Sequence, residues 1–307
     1  MFLVCGDSLF DFFLESEAGP GAATYAARAG GSPFNVAIGL ARLGAEAGLL
    51  AGISTDMLGQ RLARVLDAEG VSRRYVIPTD RPTTISLVGL DADGVPAYQF
   101  YDSSDTGVRP SDLPEIGPEV TGLHFGSYSL AAAPVADAAA TLATAHRDRF
   151  ISVDPNVRPT VVPDMDVWRA RLDLLFPLAG LVKISAEDLE LLWPGRTAAH
   201  FAEDVLARGT RLVVVTDGGA AAHGWTAGGD HASARPPKVE VVDTVGAGDT
   251  FQAALIAQLL RDGDPAAAIG GLDTDGLSRL LAHAARAASI TCSRRGADLP
   301  RLHELTD

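Results

Sequence analysis

The sequence predicts an α/β protein whose mainly parallel sheet is covered by helices on both faces. Short apolar runs such as "FLVCG", "FISVD" and "RLVVVTDGG" alternate with helical patterns, which is typical of βαβ units. Glycine is frequent, with 32 residues, and aromatic residues make up only 6%, a composition that suits closely packed layers. With 307 residues, 47% of them hydrophobic, the chain can form one large core, alone or with a small appendage.

The first helix and the segments outside the βα alternation can be located from sequence. "PFNVAIGLARLG" begins with Pro33 and ends at Gly44, as helices commonly do. "SLFDFFLE" continues past the first strand, and "TTISLVGLDADGVPAYQFYD" contains two strand-like runs joined by "DADG", a hairpin signal. These segments predict a small sheet that acts as a lid and spans about residues 9–24 and 82–108. Residues 226–237, "TAGGDHASARPP", read as an exposed loop.

Charge and cysteine content narrow the class of protein. The net charge of −14 disfavours binding to nucleic acid or to an anionic membrane. Cys5 and Cys292 form no CxxC motif and are predicted to be free thiols in a reducing compartment. Since the sequence has neither a basic leader nor a long apolar run, we expect a cytoplasmic protein. The histidines form no HExxH motif, so no protein-built zinc site is expected.

The stretch "DTVGAGDTF" is the strongest local candidate for a site. Apolar residues after it recur at helical spacing, so a helix should open between Gly246 and Asp249. The unpaired amides of residues 245–249 would then converge on one point and could hold an anion. Asp249, in the first turn, could accept a proton from an attacking hydroxyl. The alternative is an ordinary turn followed by a helix-capping acid.

Other nucleotide-binding motifs are missing. The chain has two lysines, Lys183 and Lys238, and neither completes a Walker-type loop. The protein-kinase signature set is absent as well. No GxGxxG follows the first strand, which disfavours a nicotinamide-dependent oxidoreductase.

Two motifs together resemble the ribokinase-like, or PfkB-type, carbohydrate kinase family: "GGSPFNVAIGLARLG" at residues 30–44 and "DTVGAGDTF" at residues 243–251. The likeness covers nearly the whole chain. It implies a three-layer α/β/α ribokinase-like fold with a β-sheet lid, and ATP and a small sugar as binding partners. In this family the acid of the second motif is the general base, here Asp249, and the turn of Gly246, Ala247 and Gly248 forms the anion hole.

The resemblance also implies a set of sugar-binding positions. An acid after the first strand and an asparagine after the glycine pair hold sugar hydroxyls, a task that suits an acceptor-only carboxylate and an amide. Gly31, with Gly30, corresponds to the lid hinge, and aromatic residues of the lid face either the sugar or a second lid in a homodimer. "DPNVR" should lie at a strand end, with its arginine placed to meet a phosphate. The positions are Asp11, Gly31, Asn35, Tyr98, Phe100, Asn156 and Arg158.

The nucleotide and ion sites are implied in the same way. ATP would contact Ser185 and the strand-end loop with Thr216, Gly218 and Gly219, and its adenine would lie between residues 236–242 and the helix that contains "LSRLLAHAARAASIT". Family members often carry Asn-x-x-Glu and bind Mg²⁺ through water; this chain reads "SAED", so either Glu187 or Asp188 could serve, and a solvated helix start explains both acids equally well. A monovalent cation such as K⁺ is expected near Asp243 and the carbonyls of "SRRGA".

Several phrases resemble bacterial fructokinases, among them "RPTTISLVGLDADG", "VDPNVRP" and "VKISAEDLELL". The resemblance therefore favours phosphorylation of D-fructose at O6. The nearest alternative is a 2-keto-3-deoxygluconate kinase, which would need a basic or tyrosyl group such as Tyr98 or Arg109 for the substrate carboxylate. A non-catalytic sugar-binding regulator is an alternative of another class, but such a protein should have lost the acid at position 249.

Overall fold

The computed structural model describes residues 1–19, 21–90, 96–101, 103–261 and 263–305. Its strands in chain order are β1 (Phe2–Cys5), β2 (Leu9–Glu17), β3 (Ala23–Gly30), β4 (Ala47–Leu50), β5 (Gly52–Ser54), β6 (Ile77–Thr79), β7 (Ile85–Leu90), β8 (Pro96–Tyr101), β9 (Gly122–Gly126), β10 (Phe150–Asp154), β11 (Leu181–Ser185), β12 (Leu212–Thr216), β13 (Ala222–Thr226) and β14 (His231–Ala234).

The α-helices in chain order are α1 (Ser32–Arg42), α2 (Met57–Ala68), α3 (Val135–Ala145), α4 (Met165–Leu175), α5 (Ala186–Leu192), α6 (Ala198–Ala207), α7 (Ala247–Leu260), α8 (Pro265–Gly270) and α9 (Thr274–Cys292). Short 3-10 turns occur at Pro110–Asp112, Ser127–Leu130, Phe176–Leu178 and Leu302–Glu304.

The main sheet has eight strands in the order β14-β13-β12-β11-β10-β9-β1-β4. Strands from β12 to β4 run parallel, whereas β13 and β14 are antiparallel additions at one edge. Two hydrophobic cores lie on its two faces, because successive side chains of each strand point to opposite sides. Phe2 and Val4 pack with α1, α2, α7 and α9, whereas Leu3 and Cys5 pack with α3 to α6. The predicted α/β class and mainly parallel sheet are thus confirmed.

A second, four-stranded sheet has the order β3-β2-β7-β8 and occupies the segments predicted to form the lid; its action as a lid stays a prediction. Strand β7 pairs antiparallel with β8, as the hairpin pattern predicted; the "DADG" turn, residues 91–94, lies outside the described residues. The first lid segment extends to Gly30, beyond the expected residue 24. The sequence did not predict this because β3 is mostly exposed and has no apolar alternation.

Residues 231–234 correct another expectation. They form β14, which pairs with β13, rather than an exposed loop. The strand alternates exposed His231 and Ser233 with buried Ala232 and Ala234. Small residues with low strand propensity concealed this alternation.

The parallel strands end at one edge of the sheet, and this edge positions the site. Gly126, Asp154, Ser185 and Thr216 are the last residues of β9, β10, β11 and β12. Ligands of open α/β sheets bind at the carboxyl ends of the strands. Helix α7 begins beside this edge and contacts α1 and α9, and it is buried over most of its length.

Candidate active site

The glycine turn forms the start of α7, as the sequence predicted. Gly246 adopts a left-handed conformation with φ 80° as the N-cap residue, which glycine allows without strain. A Cβ at Gly246 would lie 2.6 Å from the Cβ of Ala297. The turn is therefore packed tightly against residues 293–297.

Fewer amides of this turn are free than the sequence suggested. Val245 N–H donates to Asp243 Oδ1 at 3.1 Å, and Ala247 N–H donates to the Thr244 carbonyl at 3.2 Å. The expectation that all amides of 245–249 face an anion is wrong for these two, because the chain turns just before the helix and supplies its own acceptors. The amides of Gly246, Gly248 and Asp249 donate to no acceptor within the described part of the chain, as expected for a helix N-terminus.

Asp249 is 7% exposed, and its Oδ2 accepts a hydrogen bond from Asn35 Nδ2 at 2.8 Å. Burial raises the pKa of Asp249, and the Asp154 carboxylate adds to this; Asn35, the Ser32 hydroxyl and the Lys183 ammonium act in the opposite direction. Asn35 lies inside α1 and is itself buried. The two predicted motifs, far apart in sequence, therefore meet at the Asn35–Asp249 contact.

Asp11 lies on β2, at the root of the lid, and belongs to the same site. Its Oδ2 is 2.7 Å from where a Cβ would stand at Gly30, so a side chain at position 30 would force the Asp11 carboxylate to shift. Burial raises the pKa of Asp11 to about 6, and the Asp249 carboxylate contributes to the increase while Ser86 and Arg158 oppose it. The structure thus places both acids in one electrostatic environment.

The "DPNVR" loop follows β10 directly. Asn156 has a positive φ of 41°, a conformation that asparagine tolerates better than most residues. Arg158 Nη1 donates to the carbonyls of Asn156 and Val157 at 3.3 and 3.0 Å. Burial raises the pKa values of Asp7, Asp11 and Asp188, and the Arg158 guanidinium opposes this rise in all three. Arg158 therefore lies among three carboxylates of the site.

Lys183 and Asp154 form a buried ion pair that was not among the predicted site residues. Lys183 Nζ lies 2.7 Å from Asp154 Oδ2, and the two residues are 3% and 1% exposed. The ammonium is 3.5 Å from where a Cβ would stand at Gly248. A positive charge is thus held directly beneath the glycine turn.

The predicted nucleotide residues lie at neighbouring strand ends. Ser185 and Thr216 are register partners on β11 and β12, and Gly218 and Gly219 follow in an exposed loop. Ser185 Oγ accepts from Asp188 N–H at 3.0 Å and so caps α5.

The two candidate acids for Mg²⁺ differ in burial and in hydrogen bonding. Glu187 is exposed, whereas Asp188 is buried and its Oδ1 accepts from Val157 N–H at 3.0 Å. Burial, followed by the Asp154 charge, raises the pKa of Asp188 to about 6. Among the described residues, no group of three or more His, Cys, Asp and Glu could hold a metal ion. An ion bound here would need water or phosphate oxygens as further ligands.

Asp243, the candidate for a monovalent cation, binds backbone amides with both oxygens. Oδ1 accepts from Val245 N–H, and Oδ2 accepts from Gly296 N–H at 2.8 Å. The side chain thus connects the "SRRGA" turn to the start of α7.

The aromatic residues of the lid are only partly described. The Phe100 ring packs edge-on against Tyr128, with centroids 5.8 Å apart, so it faces the main domain. Tyr101 is exposed. The side chain of Tyr98 lies outside the described residues. In the parts of the chain that are described, no helix has the length and apolar character needed to cross a membrane.

Comparison with known proteins identifies the family of the chain. The sequence model of the pfkB family carbohydrate kinases matches residues 2–304. A fructokinase of Rhizobium leguminosarum bv. trifolii is 39% identical over 268 residues, covering 85% of this chain and 80% of that protein. A fructokinase of Salmonella typhimurium is 33% identical over 272 residues, covering 85% of each chain.

Solved structures show the same fold. The structure of a Xylella fastidiosa fructokinase with bound ATP superposes with a TM-score of 0.89 at 25% identity, covering 99% of this chain and 96% of that one. A Vibrio cholerae fructokinase with fructose, ADP and calcium bound gives a TM-score of 0.82 at 25% identity and covers 99% and 98%. The chain therefore belongs to the pfkB family and is a carbohydrate kinase with the ribokinase-like fold.

Proposed function

We propose that this kinase transfers the γ-phosphoryl group of ATP to O6 of D-fructose, with Asp249 as the general base. The observation that carries the proposal is the position of Asp249: a buried carboxylate in the first turn of α7, behind three free amides and in contact with Asn35. The relatives and structural neighbours named fructokinase support the choice of sugar.

In this proposal Asp249 acts on the sugar hydroxyl, and the glycine turn acts on the phosphoryl group that is transferred. Asp249 accepts the proton of the sugar hydroxyl as the oxygen attacks phosphorus. The amides of Gly246, Gly248 and Asp249, with the positive end of α7, stabilise the charge that spreads over the transferred group. The Lys183 ammonium, 3.5 Å from the Cβ position of Gly248, adds a positive charge on the same side.

Asp11 and Asn35 are proposed to fix neighbouring sugar hydroxyls, since a carboxylate accepts hydrogen bonds and an amide both donates and accepts. The sugar site would be completed by Gly31, Asn156, Phe100 and Tyr98, and Arg158 would meet the phosphate.

The balance of charges around the site favours a neutral sugar over 2-keto-3-deoxygluconate. The charge of Arg158 already acts on Asp7, Asp11 and Asp188, so a substrate carboxylate near Arg158 would enter an acidic environment. Arg109 instead lines a separate polar groove with Arg81 and Asp112.

On the nucleotide side, Ser185, Thr216, Gly218 and Gly219 would approach the phosphates or ribose of ATP. The valines of residues 236–242 are exposed beside α9, and Val242 N–H donates to the Cys292 carbonyl; this apolar strip fits an adenine ring.

Asp188 is the better candidate to hold a hydrated Mg²⁺, because it is buried next to Asp154, whose Oδ1 has no hydrogen-bond partner in the described chain. Mg²⁺ would neutralise the phosphate charge. A K⁺ ion near Asp243 remains part of the proposal.

A homodimer formed through the lid is also proposed. The exposed side chains of Tyr25 on β3 and Tyr101 on β8 leave apolar surface on this sheet, which a second lid could cover. Light scattering should give twice the monomer mass for the wild type and the monomer mass for the Tyr25→Glu, Tyr101→Glu double variant. A monomeric wild type would refute the dimer without affecting the assigned chemistry.

The substrate assignment is tested by measuring ADP release over a panel of sugars with saturating magnesium and ATP. We expect kcat/KM to be largest for D-fructose, and phosphorus–proton correlation spectroscopy of the product to place the phosphate on C6. Larger values for 2-keto-3-deoxygluconate or ribose, or phosphate on another carbon, would contradict the assignment. Omitting magnesium should abolish turnover.

A further inference from the structure

A buried acid at the root of the lid has no part in the mechanism described so far. Asp7 follows β1 and is 1% exposed. Its Oδ2 accepts a hydrogen bond from the Ser32 N–H at 3.2 Å. A Cβ at Gly31 would lie 2.8 Å from the Asp7 carbonyl oxygen and 3.1 Å from Oδ2. The glycine at position 31 is thus needed for the acid to approach the start of α1.

Helix α1 lacks a cap of its own. Its N-cap residue is Gly31, which has no side chain, and its first turn contains no acidic residue. Ser32 is the first residue of the helix, so its N–H is the first donor without an intrahelical acceptor, and Pro33 after it has no N–H group. Asp7 supplies the missing acceptor from another part of the chain, at the positive end of the helix dipole.

The first turn of α1 is also the part of the molecule that holds Asp249. Asn35 N–H donates to the Gly31 carbonyl at 2.9 Å and closes this turn. The Asn35 side chain then donates to Asp249 Oδ2 at 2.8 Å. Asp7, Ser32, Asn35 and Asp249 therefore form a continuous series of contacts from the lid root to the proposed base.

We propose that Asp7 is a positioning residue, which anchors the start of α1 through the Ser32 N–H and thereby keeps Asn35 in its hydrogen bond to Asp249. This inference rests on the proposed role of Asp249. Asp7 itself is not placed to touch the reacting atoms. It acts through the orientation of the α1 turn, as an orienting group does behind a base.

The surroundings of Asp7 determine which substitutions at position 7 keep or remove its contact with Ser32. Burial raises its pKa well above the ordinary range, and the neighbouring Asp105 carboxylate adds to this, while Ser127 and Arg158 oppose it. An amide at position 7 keeps an acceptor oxygen for the Ser32 N–H and fits the same space. Asp7→Asn should therefore preserve the contact, whereas Asp7→Ala should remove it.

The test is a double-mutant cycle between positions 7 and 35, measured as kcat and kcat/KM over pH. We expect Asp7→Asn to stay within about threefold of the wild type and Asp7→Ala to lower kcat/KM about tenfold, a typical coupling for residues in contact. Asn35→Ala should lower it at least as much. If Asp7 acts through Asn35, the double variant Asp7→Ala, Asn35→Ala should be no worse than Asn35→Ala.

The pH profile separates positioning from a loss of folding. Burial raises the pKa of Asp249 and the Asn35 hydrogen bond opposes this rise. Both Asp7→Ala and Asn35→Ala should therefore let the pKa rise further and move the acidic limb of kcat/KM to higher pH. The other charged groups that act on the pKa of Asp249 are Asp11, Asp154 and Lys183, and none of them is substituted in these variants. As a control, Asp164→Ala removes the cap of α4, far from the site. It should lower the free energy of unfolding about as much as Asp7→Ala does, without changing kcat or the acidic limb of the pH profile.

Two results would overturn the inference. One is a double variant whose loss equals the product of the two single losses, which means that positions 7 and 35 act independently. The other is an Asp7→Ala variant whose acidic limb stays in place. Asp249→Asn is included as a separate arm: if it retains turnover, the proposed base is wrong, whereas an inactive Asp249→Asn with independent single losses refutes only the role of Asp7.

Discussion

Gly246→Ala is expected to damage both stability and catalysis, and the structure allows its cost to be worked out. Position 246 has φ 80°, and an L-residue in that conformation costs about 1–2 kcal/mol. The new Cβ would lie 2.6 Å from the Ala297 Cβ and 2.9 Å from its Cα, whereas carbon atoms normally approach to about 3.5–4.0 Å. The turn must therefore move by roughly 1 Å, and such overpacking costs about 1–3 kcal/mol.

The two contributions predict a loss of about 2–5 kcal/mol in the free energy of unfolding. A displacement of the turn by 1 Å also moves the free amides and Asp249, so kcat/KM should fall about 100-fold. Urea denaturation and a coupled assay of ADP release measure the two effects.

Gly70→Ala is the matched control. Gly70 also has a positive φ, of 73°, but its Cβ would have no neighbour within 4 Å. This variant should lose only the conformational cost of about 1–2 kcal/mol and keep full activity. If Gly246→Ala is no less stable than Gly70→Ala and retains activity within threefold, the packing of the turn against Ala297 does not position the site.

Two further predictions concern buried charges. The pKa of Asp11 rises from 3.8 to about 6 on folding, so its contribution to stability is present below pH 4 and is lost as the pH rises through 6. Asp11→Asn lacks this dependence, so between pH 4 and pH 8 its free energy of unfolding, measured with heat or urea, should gain up to about 3 kcal/mol relative to the wild type. The variant should also lose fructose turnover. A difference in stability that stays the same across this range would show that folding does not raise the pKa of Asp11. Lys183→Met leaves Asp154 buried without its partner and should lower the free energy of unfolding by about 3–5 kcal/mol. Lys183→Met combined with Asp154→Leu should recover much of this stability but not the lost kcat. Recovery of both stability and kcat would show that the ion pair has no catalytic part.

Much of the fold could be predicted from the sequence, because local patterns carry the information. Buried parallel strands such as β12 are continuous apolar runs, and the start and stop signals at Pro33 and Gly44 lie within two residues of the ends of α1, Ser32–Arg42. The antiparallel edge strand β14 was missed, since its alternation consists of alanine and serine. The extent of β3 was missed because an exposed lid strand needs no apolar face.

The site was predictable to the extent that glycine and acid stand in one short motif. "DTVGAGDTF" located the start of α7 and Asp249, and "GGSPFN" located Asn35. That Glu187 is exposed while Asp188 is buried depends on the orientation of α5, which the sequence pattern does not give. Which amides of the turn are free depends on the acceptors at Asp243 and Thr244, and these become visible only in the folded chain.

Lys183 and Asp7 are two residues of the site region that the sequence analysis did not identify. Lys183 served only to exclude a Walker loop, although its place inside the apolar run "GLVKIS" was a signal: a buried lysine needs a partner. Its partner Asp154 lies on the neighbouring strand. Asp7 meets Ser32 across the root of the lid, a contact between segments that no local pattern connects.

The most direct test of the central claim is the turnover of Asp249→Asn with fructose and ATP at saturation. The variant keeps the shape of the side chain and loses the proton acceptor. We predict that kcat falls by about 10²–10⁴, while the dissociation constants for ATP and fructose, measured by calorimetry, change little. A kcat within about tenfold of the wild type would contradict the assignment of Asp249 as the general base.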